Sequence, residues 1–275
     1  MSERVSIQIQ DGVADVRLNR PDKMNALDQP MFRGLIQAGL DVASDPSVRA
    51  VVLSGEGRAF CAGLDFSSFQ AMSGGGSGEN GERSDARDLL AGGSDSPANF
   101  AQRAAYIWQE VPVPVIAAVH GVAYGGGFQI AMGADIRYVA PDARLSVMEV
   151  KWGLIPDMSG TQTLRHLVGL DVAKKLTFTG QIVAGSEAKQ MGLATEVSEQ
   201  PLEDALALAR EIASKSPDAI RAAKQLLNAA PLSSVAEGLK LEEKLQRGLI
   251  GSPNQIESVK ANMEKRAPKF SDPSS

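Results

Sequence analysis

Glu149 and Asp157 are carboxylates whose settings suit proton transfer, and two glycine-bearing segments supply what such chemistry needs around it. Glu149 stands among Val147, Met148 and Val150, an apolar setting that raises a carboxyl toward the working range of a general base. Asp157 follows the breakers Gly153 and Pro156, so it can return to the same pocket from a loop. Each has a structural alternative. Glu149 could pair with Lys151 or an arginine, and Asp157 could cap a helix over 159–168. The glycine segments are Ala59-Phe60-Cys61-Ala62-Gly63-Leu64-Asp65 and His120-Gly121-Val122-Ala123-Tyr124-Gly125-Gly126-Gly127. Each follows an apolar run that reads as a strand, 50–53 and 113–119. Main-chain N–H groups from two such turns can converge on one oxygen, as a carbonyl turning into an enolate requires. A helix opening at Gly126 adds unpaired N–H groups and the positive end of its dipole. Glycine lets a ligand approach there where a Cβ would block it; the alternative is a tight strand-to-helix turn with no ligand. The pattern is that of an enzyme.

The elements that must position these groups alternate. Val5, Ile7 and Ile9, then Ala14, Val16 and Leu18, read as a hairpin turning at Asp11-Gly12. Helices are predicted over 31–43, over 101–109 and from 126, with the two strands between them, which is an α/β pattern. Beyond residue 200 amphipathic helices dominate: 202–214, 217–229, 234–248 and 253–266. The expected division is a core over 1–198 and a helical region over 199–275. The Gly/Ser-rich stretch 72–82 reads either as a surface insertion or as a flap over the substrate.

The 275 residues carry a net charge of -5 and 5% aromatics, so a nucleic-acid surface is not expected. A single cysteine, Cys61, excludes an internal disulfide and fits a reducing compartment. No signal peptide or membrane-length apolar run is read, and the expected location is cytoplasmic. His120 and His166 lack metal-ligand spacing, and no metal site is expected. Cys61 reads as a buried small hydrophobe, and Asp135 as a residue that starts a strand or satisfies local N–H donors.

Several pieces together resemble the enoyl-CoA hydratase/isomerase (crotonase) superfamily. They are Asn19-Arg20-Pro21 with Asn25-Ala26-Leu27, the 59–65 segment, and 114–119 leading into Gly121 and Gly125-Gly126-Gly127. Ala134-Asp135-Ile136-Arg137, Gly153-Leu154-Ile155-Pro156, Gly160-Thr161-Gln162 and Glu187-Ala188 with Gly192-Leu193 continue the match in the expected order. The resemblance implies a spiral of ββα units with a C-terminal helical region used in trimer or hexamer formation. It also implies an acyl-CoA thioester substrate and no cofactor beyond the coenzyme A that the substrate carries. The thioester oxygen would be held by the N–H groups of Leu64 and Gly126, with Ala62, Gly63, Asp65 and Gly125 around it. Lys23 and Lys265 are candidates for the CoA phosphates.

The chain departs from the hydratase branch at one position. That branch resembles this chain at Glu149 but carries a second carboxylate where Gln129 stands. An amide can hydrogen-bond water but does not exchange a proton near neutral pH. The expectation is therefore double-bond isomerisation of an enoyl- or dienoyl-CoA, with Glu149 as acid/base, Asp157 as second acid and Gln129 as an orienting group. A 2-enoyl-CoA hydratase and a non-catalytic acyl-CoA-binding scaffold are the alternatives.

Overall fold

A computed structural model describes residues 4–65 and 96–273. The stretch 72–82 lies outside the described residues. β1 (Val5–Gln10) and β2 (Val13–Leu18) form an antiparallel hairpin. Its turn residues Asp11 and Gly12 both have positive φ, 51° and 79°, the backbone that lets a two-residue turn match the strand twist. Next, α1 (Gln29–Ser44) starts where the Asp28 carboxylate accepts from Met31 N–H. It buries Met31, Phe32, Leu35, Ala38 and Val42 on one face. After β3 (Ala50–Gly55), α2 (Phe100–Glu110) opens with a reciprocal Asn99–Gln102 capping box.

β4 (Val115–Val119), β5 (Val122–Tyr124), α3 (Gly126–Gly133), β6 (Ile136–Val139) and β7 (Arg144–Ser146) follow in quick succession. Then come α4 (Gly160–Leu167), α5 (Leu170–Thr179), β8 (Val183–Ala184), α6 (Gly185–Met191) and β9 (Glu196–Val197). The chain ends in α7 (Pro201–Ala213), α8 (Pro217–Ala229), α9 (Val235–Leu249) and α10 (Pro253–Met263). The C-terminal helices fall within a few residues of their predicted bounds.

The larger sheet runs β1-β2-β3-β4-β6-β9, parallel after its opening hairpin. A smaller sheet, β5-β7-β8, stands beside it. β3 and β4 are apolar almost throughout because both faces of the large sheet are covered. On one face the main core gathers side chains from α1, α2 and α3, with Trp108 and Phe128 fully buried. On the other, Ala205, Ala209 and Ala213 of α7 pack on Val13, Ala50, Val52, Ile116 and Ala118. Alanines four residues apart give α7 a smooth stripe that seats close to the strands.

Buried polar side chains tie these layers together. Lys224 of α8 donates to Trp108 O at 2.9 Å and Val113 O at 3.0 Å, and pairs with Asp135 Oδ2 at 2.8 Å. Asp135 also accepts from Val115 N–H at 2.7 Å, the local role expected of it. Arg137 donates to Leu193 O and Ala134 O, fixing the edge where β9 joins.

Candidate active site

The two glycine segments meet as adjoining extended backbones. Phe60 and Cys61 donate to His120 O and Val122 O, and Tyr124 donates back to Cys61 O. On its other side the first segment pairs with residues 25–27: Leu27 N–H donates to Gly63 O, and Asp65 N–H to Leu27 O. Gly63 has φ 88°, and a Cβ there would lie 2.6 Å from Tyr124 O and 3.7 Å from Gly126 N. Only a residue without Cβ lets the turns approach this closely. Among the described residues, the N–H groups of Leu64 and Gly126 donate to no acceptor. Two unused main-chain donors thus lie on neighbouring turns, one of them opening α3.

A brace absent from the sequence expectation holds this pairing. Asn25, fully buried with φ 55°, accepts from Arg20 N–H and donates to Glu56 O and Ala59 O. The Arg20 guanidinium reaches Ala26 O and the Asp65 carboxylate. Asp65, expected beside the substrate, therefore spends its charge on Arg20, and its part is to anchor the turn. The motif Asn19-Arg20-Pro21 with Asn25 was the available signal for this brace, but not for what it touches. Ala62 N–H is likewise taken, by Met24 O.

Glu149 enters this region from the smaller sheet. It begins a single 3-10 turn, Glu149–Trp152, that follows β7 and stops at Gly153 with φ 70°. The residue is 8% exposed. A Cβ on Gly125 would lie 3.5 Å from Glu149 Oε1, which places the carboxylate beside the glycine turn. Oε1 accepts from Gln129 Nε2 at 2.6 Å, while Oε2 is buried and has no hydrogen-bond partner among the described residues. Burial pushes the Glu149 carboxyl up; its own backbone N–H and Gln129 pull it partly back, and the charge of Asp157 adds to the rise. The pairing with Lys151 is not found: Lys151 Nζ stands 5.6 Å from the Trp152 ring centre, and Glu149 has no ion pair among the described residues.

Gln129, buried on α3, is held from its other end. Its Oε1 accepts from Met158 N–H and from Gly160 N–H, both at 2.8 Å. Met158 and Gly160 were not anticipated in this role. Asp157 precedes them on the same loop, and its helix-cap alternative is corrected: Ser159, with φ 68°, is the residue before α4, and no side chain caps that helix among the described residues. Asp157 is exposed in the single chain, yet partial desolvation raises its carboxyl. It also lines a cavity of about 860 Å³ with residues of α2, α4 and α8, which Glu149, Gln129, Leu64 and Gly126 do not line.

The other candidates separate clearly. Lys23 is exposed in the turn Pro21–Lys23, just before residues 25–27, and Lys265 is exposed past the end of α10. His120 Nε2 meets Gly57 O, and His166 contacts Arg165 at the surface. Cys61 is fully buried, its thiol pushed up to about 12 by desolvation, so it is no nucleophile. The described residues contain no cluster suited to a metal ion.

Comparison with known proteins supplies the context for this geometry. Residues 8–273 match the family model described as Enoyl-CoA hydratase/isomerase. The mitochondrial enoyl-CoA hydratase of Pongo abelii is 35% identical over 259 residues, covering 94% of this chain and 83% of that protein. The crystal structure of an enoyl-CoA hydratase from Bacillus anthracis superposes with a TM-score of 0.87 at 30% identity, covering 98% of this chain and all of that one (100%). An enoyl-CoA hydratase from Mycobacterium smegmatis gives a TM-score of 0.82 at 29% identity, with 97% and 98% covered. Mixed sheets followed by C-terminal helices are thus the crotonase fold. The chain is a member of the enoyl-CoA hydratase/isomerase family and an enzyme of that family.

Proposed function

We propose that this enzyme moves the double bond of an enoyl- or dienoyl-CoA, using Glu149 to carry one proton between allylic carbons. The supporting observation is the partner of Glu149. Gln129, an amide that does not exchange protons, occupies the place of a second acid and is held by protein groups at both its oxygen and its nitrogen. The thioester oxygen sits against the Leu64 and Gly126 N–H groups, where charge developing on the enolate meets two main-chain donors unspent among the described residues. Gly63 lets the two turns that carry these donors lie side by side, and Gly125 leaves room beside them for the Glu149 carboxylate. Removing one such donor costs ~3 kcal/mol of barrier. Asp157, whose charge Glu149 feels, serves as the second acid for a dienoyl substrate. Lys23 borders the strand pair that carries Leu64 and is the nearer candidate for a CoA phosphate; Lys265 has no comparable support within one chain.

Hydration of 2-enoyl-CoA is the second reading, favoured by the names of the relatives. Incubation with 2-enoyl-, 3-enoyl- and 3,5-dienoyl-CoA, followed by absorbance and mass, decides between them. Isomerisation shifts the diene or enoyl absorbance with no change in mass. Gain of the mass of one water on the 2-enoyl substrate, without isomerisation of the others, overturns the proposal.

Self-association into trimers, or dimers of trimers, has its support in the C-terminal helices. Leu227, Leu232, Val235, Leu239 and Met263 are large apolar side chains left exposed on or beside α8, α9 and α10 in the single chain. Light scattering on the purified protein tests it, and a monomer at micromolar concentration refutes it. No helix among the described residues is long and apolar enough to cross a membrane, and with Cys61 unpaired we place the enzyme in the cytoplasm.

A further inference from the structure

We propose that Gln129 is a positioning residue that reserves Oε2 of Glu149 as the one oxygen that takes up and returns the substrate proton. The inference rests on the isomerase reading above and specifies how its acid/base is held.

The Gln129 amide has a single workable orientation. Its Oε1 receives two main-chain donors, Met158 N–H and Gly160 N–H, each at 2.8 Å. Flipping the amide would aim its NH2 group at those two donors and its oxygen at the Glu149 carboxylate. The loop is built for this contact. Ser159 adopts the left-handed backbone at φ 68°, and Gly160 lacks a Cβ that would lie 2.6 Å from Gln129 Oε1. The loop's two main-chain dipoles therefore reach Glu149 through a neutral adapter, whose Nε2 fixes Oε1 at 2.6 Å. Oε1 is committed to a hydrogen that cannot be transferred. Oε2 is left buried and unpartnered among the described residues.

The reaction balances on that oxygen alone. Oε2 takes the proton from C2 of a 3-enoyl thioester, and the C2–H pair enters the conjugated dienolate, with charge on the thioester oxygen. The C3–C4 π pair then takes the same proton from Oε2 at C4, the C2–C3 double bond forms and the carbonyl is restored. No water and no co-reactant are consumed.

The test uses 3-enoyl-CoA carrying deuterium at both C2 positions, in ordinary water, with the full-length enzyme. Wild type should deliver much of the label to C4, because Oε2 holds it away from solvent. Gln129→Leu should lower kcat about 100-fold through misplacement of the base, with KM close to wild type. It should also lose label to water and move the acid limb of the pH profile upward, since a hydrogen bond favouring the carboxylate is gone. Gln129→Glu keeps an acceptor for Met158 and Gly160 but sets a second carboxyl against Oε1, and it should also lose label. A folded, isomerising Gln129→Leu enzyme with wild-type label retention and pH limb overturns the proposal. If wild type does not isomerise, the functional reading falls and proton return through Oε2 falls with it; the positioning of Glu149 by Gln129 is then decided by the carboxyl infrared band of Glu149. A band unmoved between wild type and Gln129→Leu, or Gln129→Glu should the leucine variant not fold, overturns it.

Discussion

Lys224 makes the C-terminal helices part of the core, and its removal has a size that the structure predicts. The Lys224 side chain is 6% exposed, and its three ammonium hydrogens match three acceptors: Trp108 O, Val113 O and Asp135 Oδ2, all within 3.0 Å. Methionine at this position keeps the stem's volume but leaves Asp135 without its counter-ion. Breaking a buried pair from one side costs about 3–5 kcal/mol. The Asp135 side chain retains 20% exposure and the Val115 N–H, so water and a donor soften the loss. The expected cost of Lys224→Met is thus about 3 kcal/mol. At about 2–4 °C per kcal/mol for chains of this size, the Tm falls by roughly 6–12 °C. Urea denaturation followed by circular dichroism should show a lower midpoint with an unchanged slope. Adding Asp135→Asn removes the stranded charge while its side-chain oxygen still accepts from Val115, so the double variant should recover at least about 1 kcal/mol relative to additivity. A single variant costing less than about 1 kcal/mol, or a double variant that is strictly additive, refutes the view that this ion pair is desolvated.

Three further outcomes concern the site. Glu149→Gln should lower kcat by about 10²–10⁴, the share of a positioned proton carrier, while raising the Tm at neutral pH because a desolvated charge is gone. The sign follows from the raised carboxyl: wild-type stability declines as pH rises through the window above the ordinary glutamate value, so the Tm gap should close on acidification. Gly63→Ala puts a methyl 2.6 Å from Tyr124 O at φ 88°, and displacing the Leu64 N–H should cut kcat about 10²–10³-fold, measured with the preferred enoyl-CoA. Asp157→Asn should slow turnover of a dienoyl-CoA more than of a 3-enoyl-CoA and leave the Tm close to wild type, since no helix cap is lost; wild-type rates on both substrates would remove Asp157 from the chemistry.

What the sequence discloses here follows the reach of each interaction. The hairpin at Asp11-Gly12 and helices such as α1 and α8 are local affairs of turn backbone, caps and apolar period, and they were legible. Strands β5 to β9 have two to four residues, too short for any period to register, and exist because a distant partner completes them. β5, for instance, pairs with β7 twenty-two residues later in register, Val122 against Arg144. The site divides the same way. Glycine at 63 and 125 and a glutamate in an apolar stretch announce themselves by residue type. The partners that decide their roles do not: Asp65 is claimed by Arg20 from 45 residues away, a pairing no local pattern encodes. The donors that orient Gln129 are main-chain N–H groups, which every residue but proline possesses. Only the missing Cβ of Gly160 hints at that contact, and a glycine three residues past Asp157 reads equally well as loop punctuation. A catalytic carboxylate can therefore be named from sequence, whereas the choice of its proton-bearing oxygen is a property of the folded loop opposite it.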